Sequence, residues 1–357
     1  RGQPRAAMIR LGEVVEGRDN NVRVLRHVAA LMVIVFHCFA LTAVPDDDPL
    51  HRLVPDATLG TLGVQIFFAL SGFLVTQSFL AHRDLGAFVA ARVLRIYPAL
   101  VVATLFTIVL ASFTSTLPLA DYFADPQTRR YFWQTATGYA ATGPLPGAFA
   151  HNPYPHAANG SLWTLPIELR LYAVLAVAGV VGVLAHRRVA ALVAAVLAML
   201  LVHAPWPLSL VFDVVPNRSL LLIFLGGALA YICRDAVLLS LVAAAAAVAL
   251  YLAVPRGFVH SALTLPIVVY TVLVVAYHPR LRIERLARGA DFSYGLYVYA
   301  FPVQQTILAT FAGIGAWTLL VATLPLVAAM AALSWFGIER PALALKSRFS
   351  TPAGSLP

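Results

Sequence analysis

A histidine and a glutamate stand where charge is expensive. His37 lies within the apolar run Val28–Val44, and Glu168 lies within Leu162–Leu184. An ionisable side chain inside a membrane-length apolar run is costly unless paired, so it marks function by default. A histidine works as a general base near neutral pH; a buried histidine bonded to a neighbouring helix would look the same in sequence. Arg26 precedes His37 by eleven residues. At 100° per residue the two share a helix face, about 16 Å apart along the axis. Glu168 and Tyr172 stand at i and i+4, also on one face, with Arg170 pointing elsewhere. A structural ion pair between helices is the competing reading for Glu168.

Other polar residues follow a similar pattern. Ser71-Gly72 comes after Gly63 and Gln65, and small residues so spaced point first to close helix packing. Arg92 and Arg95, at i and i+3, sit at the inner boundary of the next run, beside Tyr97 and Pro98. They suffice as topology anchors, and paired guanidinium forks also suit phosphate. Tyr294, Tyr297 and Gln304 form a stripe on a later run, able to line a cavity or simply to pack. Together these residues place His, Glu, Tyr and Gln in mid-membrane with arginines at one entrance. That describes a polar cavity open to an anionic cytosolic molecule.

The elements that must hold such a cavity follow from composition. The 357 residues are 60% hydrophobic and only 11% charged, with a mean hydropathy of +0.81. Soluble domains carry about 25% charged residues, so this chain cannot coat a soluble surface. Ten apolar runs recur: Val28–Val44, Leu59–Leu80, Ile96–Phe113, Leu162–Leu184, Val189–His203, Leu220–Cys233, Ala236–Val254, Ala262–Tyr277, Phe292–Phe311 and Trp317–Phe336. Most approach the roughly 20 residues a helix needs to cross a bilayer, where only internally hydrogen-bonded helices are viable. The expected fold is therefore all-α: a polytopic membrane bundle of about ten helices.

With the N-terminus cytoplasmic, 19 of the 25 Lys and Arg fall on inner segments and five on outer ones. This is the positive-inside asymmetry, and it puts both termini in the cytoplasm. The net charge of +9 is thus spread along one membrane face, not gathered into a nucleic-acid patch. Cys38 and Cys233 lie in apolar runs and imply no disulfide framework. The first run reads as a retained helix, not a cleaved leader. A single transmembrane domain is expected over 1–345, with a cytoplasmic tail at 346–357. Within the domain, residues 114–160 form a long outer loop rich in Pro, Gly, Asn and aromatics. Its rings suit an interfacial segment or an acceptor-binding lid.

Six stretches, in order, resemble the acyltransferase-3 family of multipass membrane O-acyltransferases. Arg26 to His37 matches its first-helix Arg-x10-His pattern. Gly63-Val-Gln-Ile-Phe-Phe-Ala-Leu-Ser-Gly-Phe-Leu74 is similar to its Gly-Val-x-x-Phe-Phe-x-x-Ser-Gly-Phe-Leu element. Arg92-Val-Leu-Arg-Ile-Tyr-Pro98 resembles its Arg-x-x-Arg-Ile-x-Pro loop. Asn159-Gly-Ser-Leu-Trp-Thr-Leu-Pro-Ile-Glu168 looks like its Ser-Leu-Trp-x-Leu-x-x-Glu helix start. Phe292-Ser-Tyr-Gly-Leu-Tyr297 and Glu339-Arg-Pro341 resemble its closing elements. The family often carries a second acid where this chain has Leu169, and a histidine where it has Ala300, so roles at those two positions do not transfer. No SGNH-type hydrolase domain is expected within the chain.

The resemblance implies a reaction in the cytoplasmic membrane. An acyl group, usually acetyl, passes from cytosolic acyl-CoA to a hydroxyl of an extracytoplasmic or lipid-linked glycan. Acetyl-CoA is then a co-substrate, and neither a tightly bound cofactor nor a metal is expected. Arg26, Arg92 and Arg95 would clamp the CoA phosphates. His37 would take the hydroxyl proton, assisted by Glu168, and a covalent acyl-histidine is the other route. Ser71, Tyr97, Trp163, Tyr172, Tyr294, Tyr297 and Gln304 would line the cavity. Two other readings compete: acylation of a small molecule or lipid, and a proton-coupled transporter using a His–Glu relay. The inverted repeats common in transporters are not visible here.

Overall fold

The computed structural model describes residues 9–17, 20–55, 57–82, 84–140, 143–203, 214–283 and 289–349. A helix occupies each of the ten apolar runs: α1 Val22–Leu41, α2 Leu59–His82 and α3 Leu85–Ser112 come first. Two short helices, α4 Leu119–Ala124 and α5 Pro126–Ala136, follow within the long connection. Then come α6 Leu165–Val180, α7 Arg187–His203, α8 Val214–Ile232, α9 Leu241–Ala253, α10 Phe258–Tyr277, α11 Ser293–Thr310 and α12 Ala316–Ser334. The protein is thus nearly all-α. Among the described residues, six helices combine the length and hydropathy to cross a bilayer: Val22–Leu41, Leu59–Ala81, Leu85–Ser112, Gly160–Val180, Val259–Tyr277 and Ala316–Arg348. The other four runs are helical as well, and the described part of α8, Asn217–Ile232, is one of two shorter apolar helices with Leu241–Ala253. Among the described residues, length and composition support six spans; the larger number of about ten is not confirmed.

The third helix corrects a boundary. Hydropathy starts that run at Ile96, yet α3 begins at Leu85, where the Asp84 carboxylate accepts a hydrogen bond from Ala87 N at 3.0 Å. Arginine is a good helix former, so the helix continues through Arg92 and Arg95 where apolar character fades. The two arginines therefore sit on a continuous 28-residue helix with Pro98 inside it, not in a loop.

Backbone contacts divide the chain into two compact units. One comprises Arg1–Ala29, Gly63–Arg83 and Arg170–Gly289. Here α2 and α8 meet backbone to backbone: a Cβ on Gly72 would collide with the Phe224 carbonyl, and one on Gly227 with that of Ala69. Small residues permit this approach, which supplies the dispersion that drives helices together in lipid. Phe73 lies between the rings of Tyr231 and Tyr277, 5.3 Å from each. The Asn21 amide donates to Val275 O and Leu281 O at 3.0 and 2.7 Å. An apolar cavity of about 200 Å³ opens among Leu171, Leu175, Ala194, Leu221 and Phe224.

The other unit comprises Ala30–Leu62, Asp84–Leu169 and Ala290–Pro357. The carboxylate of fully buried Asp48 accepts from Leu50 N, His51 N and Leu59 N, so one side chain starts two helices. The long connection is ordered. Tyr122, Tyr131, Leu145 and Phe149 form a core with Ile108 and Ala111 of α3, and the Tyr122 hydroxyl donates to Ile108 O at 2.9 Å. The Tyr97 hydroxyl donates to Thr137 O at 3.1 Å. Tyr97 lies fifteen residues, roughly 22 Å along the axis, before the end of α3 at Ser112. Instead of spreading outward from that end, the connection folds back along α3. Trp133, Tyr139 and Tyr154 stay exposed.

Candidate functional site

The unit with the long connection holds a polar cluster around His37. The imidazole is 9% exposed, and the Phe301 ring meets it edge-on at 5.0 Å. Its Nδ1 lies 3.4 Å from Ser161 Oγ, a long contact that either atom can donate to. No described residue bonds Nε2. The two ring nitrogens are thereby made unequal, the condition for one to hold a proton while the other exchanges one.

Ser161 is placed by the turn ahead of α6. Residues Gly160–Thr164 form a 3-10 turn, and the preceding Asn159 amide donates to Val298 O of α11 at 2.8 Å. Gly160 is required by its neighbour: a Cβ there would sit 2.5 Å from the Phe301 ring. The Tyr297 hydroxyl donates to Ser161 O, so Thr164 Oγ1, 2.8 Å away, donates to the tyrosine oxygen. Further along α11, Gln304 Nε2 donates to Ile34 O and Cys38 Sγ, both at 3.0 Å. One face of α11 (Tyr297, Phe301, Gln304) thus presses the Ser161 turn and the His37 helix together.

The expected residues divide accordingly. His37, Tyr297 and Gln304 belong to this cluster. Glu168 heads α6, and its charge bears on the hydroxyls of Tyr294 and Tyr297; the hydrogen-bond partner of His37 is Ser161, not Glu168. Trp163 is 40% exposed, and Tyr97 is tied to Thr137 as described. Arg92 packs under its own turn, 5.9 Å from the Phe88 ring. Ser71 and Tyr172 belong to the other unit, where their hydroxyls pair at 2.8 Å, and Arg26 belongs there too. Sequence reading passed over Ser161, Thr164, Asn159 and Phe301. The signal lay in the stretch Asn159–Glu168, in the small polar residues around the indole and ahead of the charge.

Arg95 is differently engaged. Its Nη2 donates to Asp291 Oδ2 at 2.8 Å and its Nη1 to Glu339 Oε2 at 3.3 Å. Tyr294 and Trp335 flank the guanidinium at about 6 Å, and the Tyr294 hydroxyl donates to Ile96 O at 3.1 Å.

Residues 19–339 match the acyltransferase domain of the acyltransferase-3 family. The chain belongs to that family. It is 29% identical to an O-acetyl transferase of Shigella phage Sf6 across 82% of this chain and 87% of the relative. It is also 29% identical to nodulation protein 10 of Rhizobium leguminosarum bv. viciae across 93% and 95% of the two chains. No solved structure matches it. As an acyltransferase-3 member with several apolar membrane-length helices, the chain is a multipass membrane acyltransferase.

Proposed function

We propose that this acyltransferase moves an acetyl group from cytosolic acetyl-CoA to a hydroxyl of an extracytoplasmic or lipid-linked glycan, with His37 as general base. The observation that carries the reading is the imidazole itself. It is buried, held on Nδ1 by Ser161 and without a described partner on Nε2, inside a chain of this family. With Nδ1–H donated to Ser161 Oγ, Nε2 takes the proton of the acceptor hydroxyl. That oxygen attacks the thioester carbonyl, the tetrahedral adduct collapses, and the carbon–sulfur bond breaks. The CoA thiolate leaves and takes up the proton from His37. Likeness to a protein named O-acetyl transferase favours acetyl as the group and oxygen as its destination.

Glu168 is proposed to support the site through Tyr294 and Tyr297. Arg26 and Arg92 are the proposed phosphate ligands, Arg26 on its helical spacing from His37 and Arg92 on its place along α3. The cytoplasmic membrane and cytoplasmic termini follow the arginine asymmetry. Thioester consumption by the purified full chain with its membrane acceptor tests the reading. His37→Ala should lower it by at least about 10²-fold while the protein still inserts and melts normally. Undiminished transfer would remove His37 from the chemistry. Mass spectrometry of surface glycans from cells with and without the gene tests the acceptor class; acyl groups appearing only on small molecules or lipids would overturn the glycan.

A further inference from the structure

Arg95 lies in an ionic network. Each carboxylate that holds it is itself held by a serine. Asp291 Oδ1 accepts from Ser293 Oγ at 2.5 Å, and Glu339 Oε1 accepts from Ser334 Oγ at 3.1 Å. Glu339 is 1% exposed, and the side chains of Arg95 and Asp291 are 16% and 13% exposed. The network joins three parts of one unit: the middle of α3, the residue two before the start of α11, and the turn after α12. That turn, Trp335–Glu339, is a π-helix, the local widening that often marks a functional position.

A donor phosphate approaching Arg95 would have to displace two anions that repel it. It would also take from the buried Glu339 carboxylate its contact with the guanidinium. We propose that Arg95 is a positioning residue, an ionic tether that fixes the start of α11 against α3, and not a ligand of the acyl donor. It acts through α11, which carries Tyr297, Phe301 and Gln304 onto the Ser161 turn and His37. In some proteins ion networks of this kind fix geometry without adding stability. The two arginines of Arg92-Val-Leu-Arg95 then have separate tasks. The kinetic half of this inference rests on the acetyl-CoA reading; the structural half does not.

The test uses the full chain in detergent or nanodiscs, with Arg95→Gln, Arg95→Lys, Asp291→Asn, Glu339→Gln and the double variant Arg95→Gln/Glu339→Gln. Melting temperature and acetyl-CoA consumption are measured for each. A small displacement of α11 is enough to cost about ten- to a hundredfold in rate. Each single variant should therefore lose kcat on that scale, with KM for acetyl-CoA held within about twofold. A tether predicts coupling: the double variant should be no worse than the worse single one, in melting and in kcat. Arg95→Lys, which keeps the charge but not the fork, should lose kcat at unchanged KM even if the Gln variant does not fold. A tenfold rise in KM for acetyl-CoA in an Arg95 variant, absent from Asp291→Asn and Glu339→Gln, would overturn the tether. Additive melting losses would overturn it as well. Should the wild type consume no acetyl-CoA, the donor reading falls, and coupling in melting still decides the tether.

Discussion

His37, buried, and Arg95, partly buried, are polar groups of the same unit, and they are bonded in opposite ways. The imidazole has one long contact, 3.4 Å to Ser161, and a ring nitrogen with no described partner. The guanidinium fork has a carboxylate on each Nη, each carboxylate backed by a serine. Loose bonding suits a group that must gain and lose a proton, since catalytic hydrogen bonds often tighten only once substrate is bound. Bonding of both Nη atoms suits a group that must not move. Burial alone does not separate the role proposed for His37 from that proposed for Arg95; the hydrogen bonds of the two differ.

Four substitutions break or sharpen that contrast, in descending order of expected effect. His37→Ala should remove at least about 10²-fold of the transfer rate with little change in melting, because the histidine is held so lightly. Glu339→Gln should lower stability as well as kcat: breaking a buried ion pair costs about 3–5 kcal/mol, read as a lower denaturant midpoint in detergent. If melting falls with His37→Ala and not with Glu339→Gln, the contrast is wrong. Tyr297→Phe withdraws the hydroxyl that donates to Ser161 O and should cost about 1–3 kcal/mol for the carbonyl left unsatisfied. Part of that loss should appear in kcat, so unchanged turnover would detach Tyr297 from the His37 seat. Trp163→Phe should be the mildest, within about 0.5 kcal/mol as for exposed positions, measured as melting and as acceptor KM. A large rise in that KM would instead make Trp163 an acceptor contact.

The long connection teaches a related point. Its aromatics suggested order at a membrane surface, and two classes of ring were hidden in that count. Tyr122, Tyr131 and Phe149 are core residues packed against α3, whereas Trp133, Tyr139 and Tyr154 are exposed. Sequence position does not distinguish them, because which ring turns inward depends on the line of α5 along α3.

Much of the protein was legible before any fold was known. Apolar runs require helices wherever backbone groups cannot reach water, so the all-α architecture follows from hydropathy, and ordered motifs identify the family. His37 was visible because a lone imidazole in an apolar run is conspicuous. Tertiary structure alone decided who its partners are. Ser161, and Tyr297 that bonds Ser161 O, come from segments more than a hundred residues away in the chain, and a small hydroxyl carries no hydropathic signal. It also separated Arg95 from Arg92, two residues of one motif and one chemistry. Their difference lies in Asp291 and Glu339, carboxylates 196 and 244 residues further along. Local sequence sets what a side chain can bond; only packing sets what is near enough to bond it.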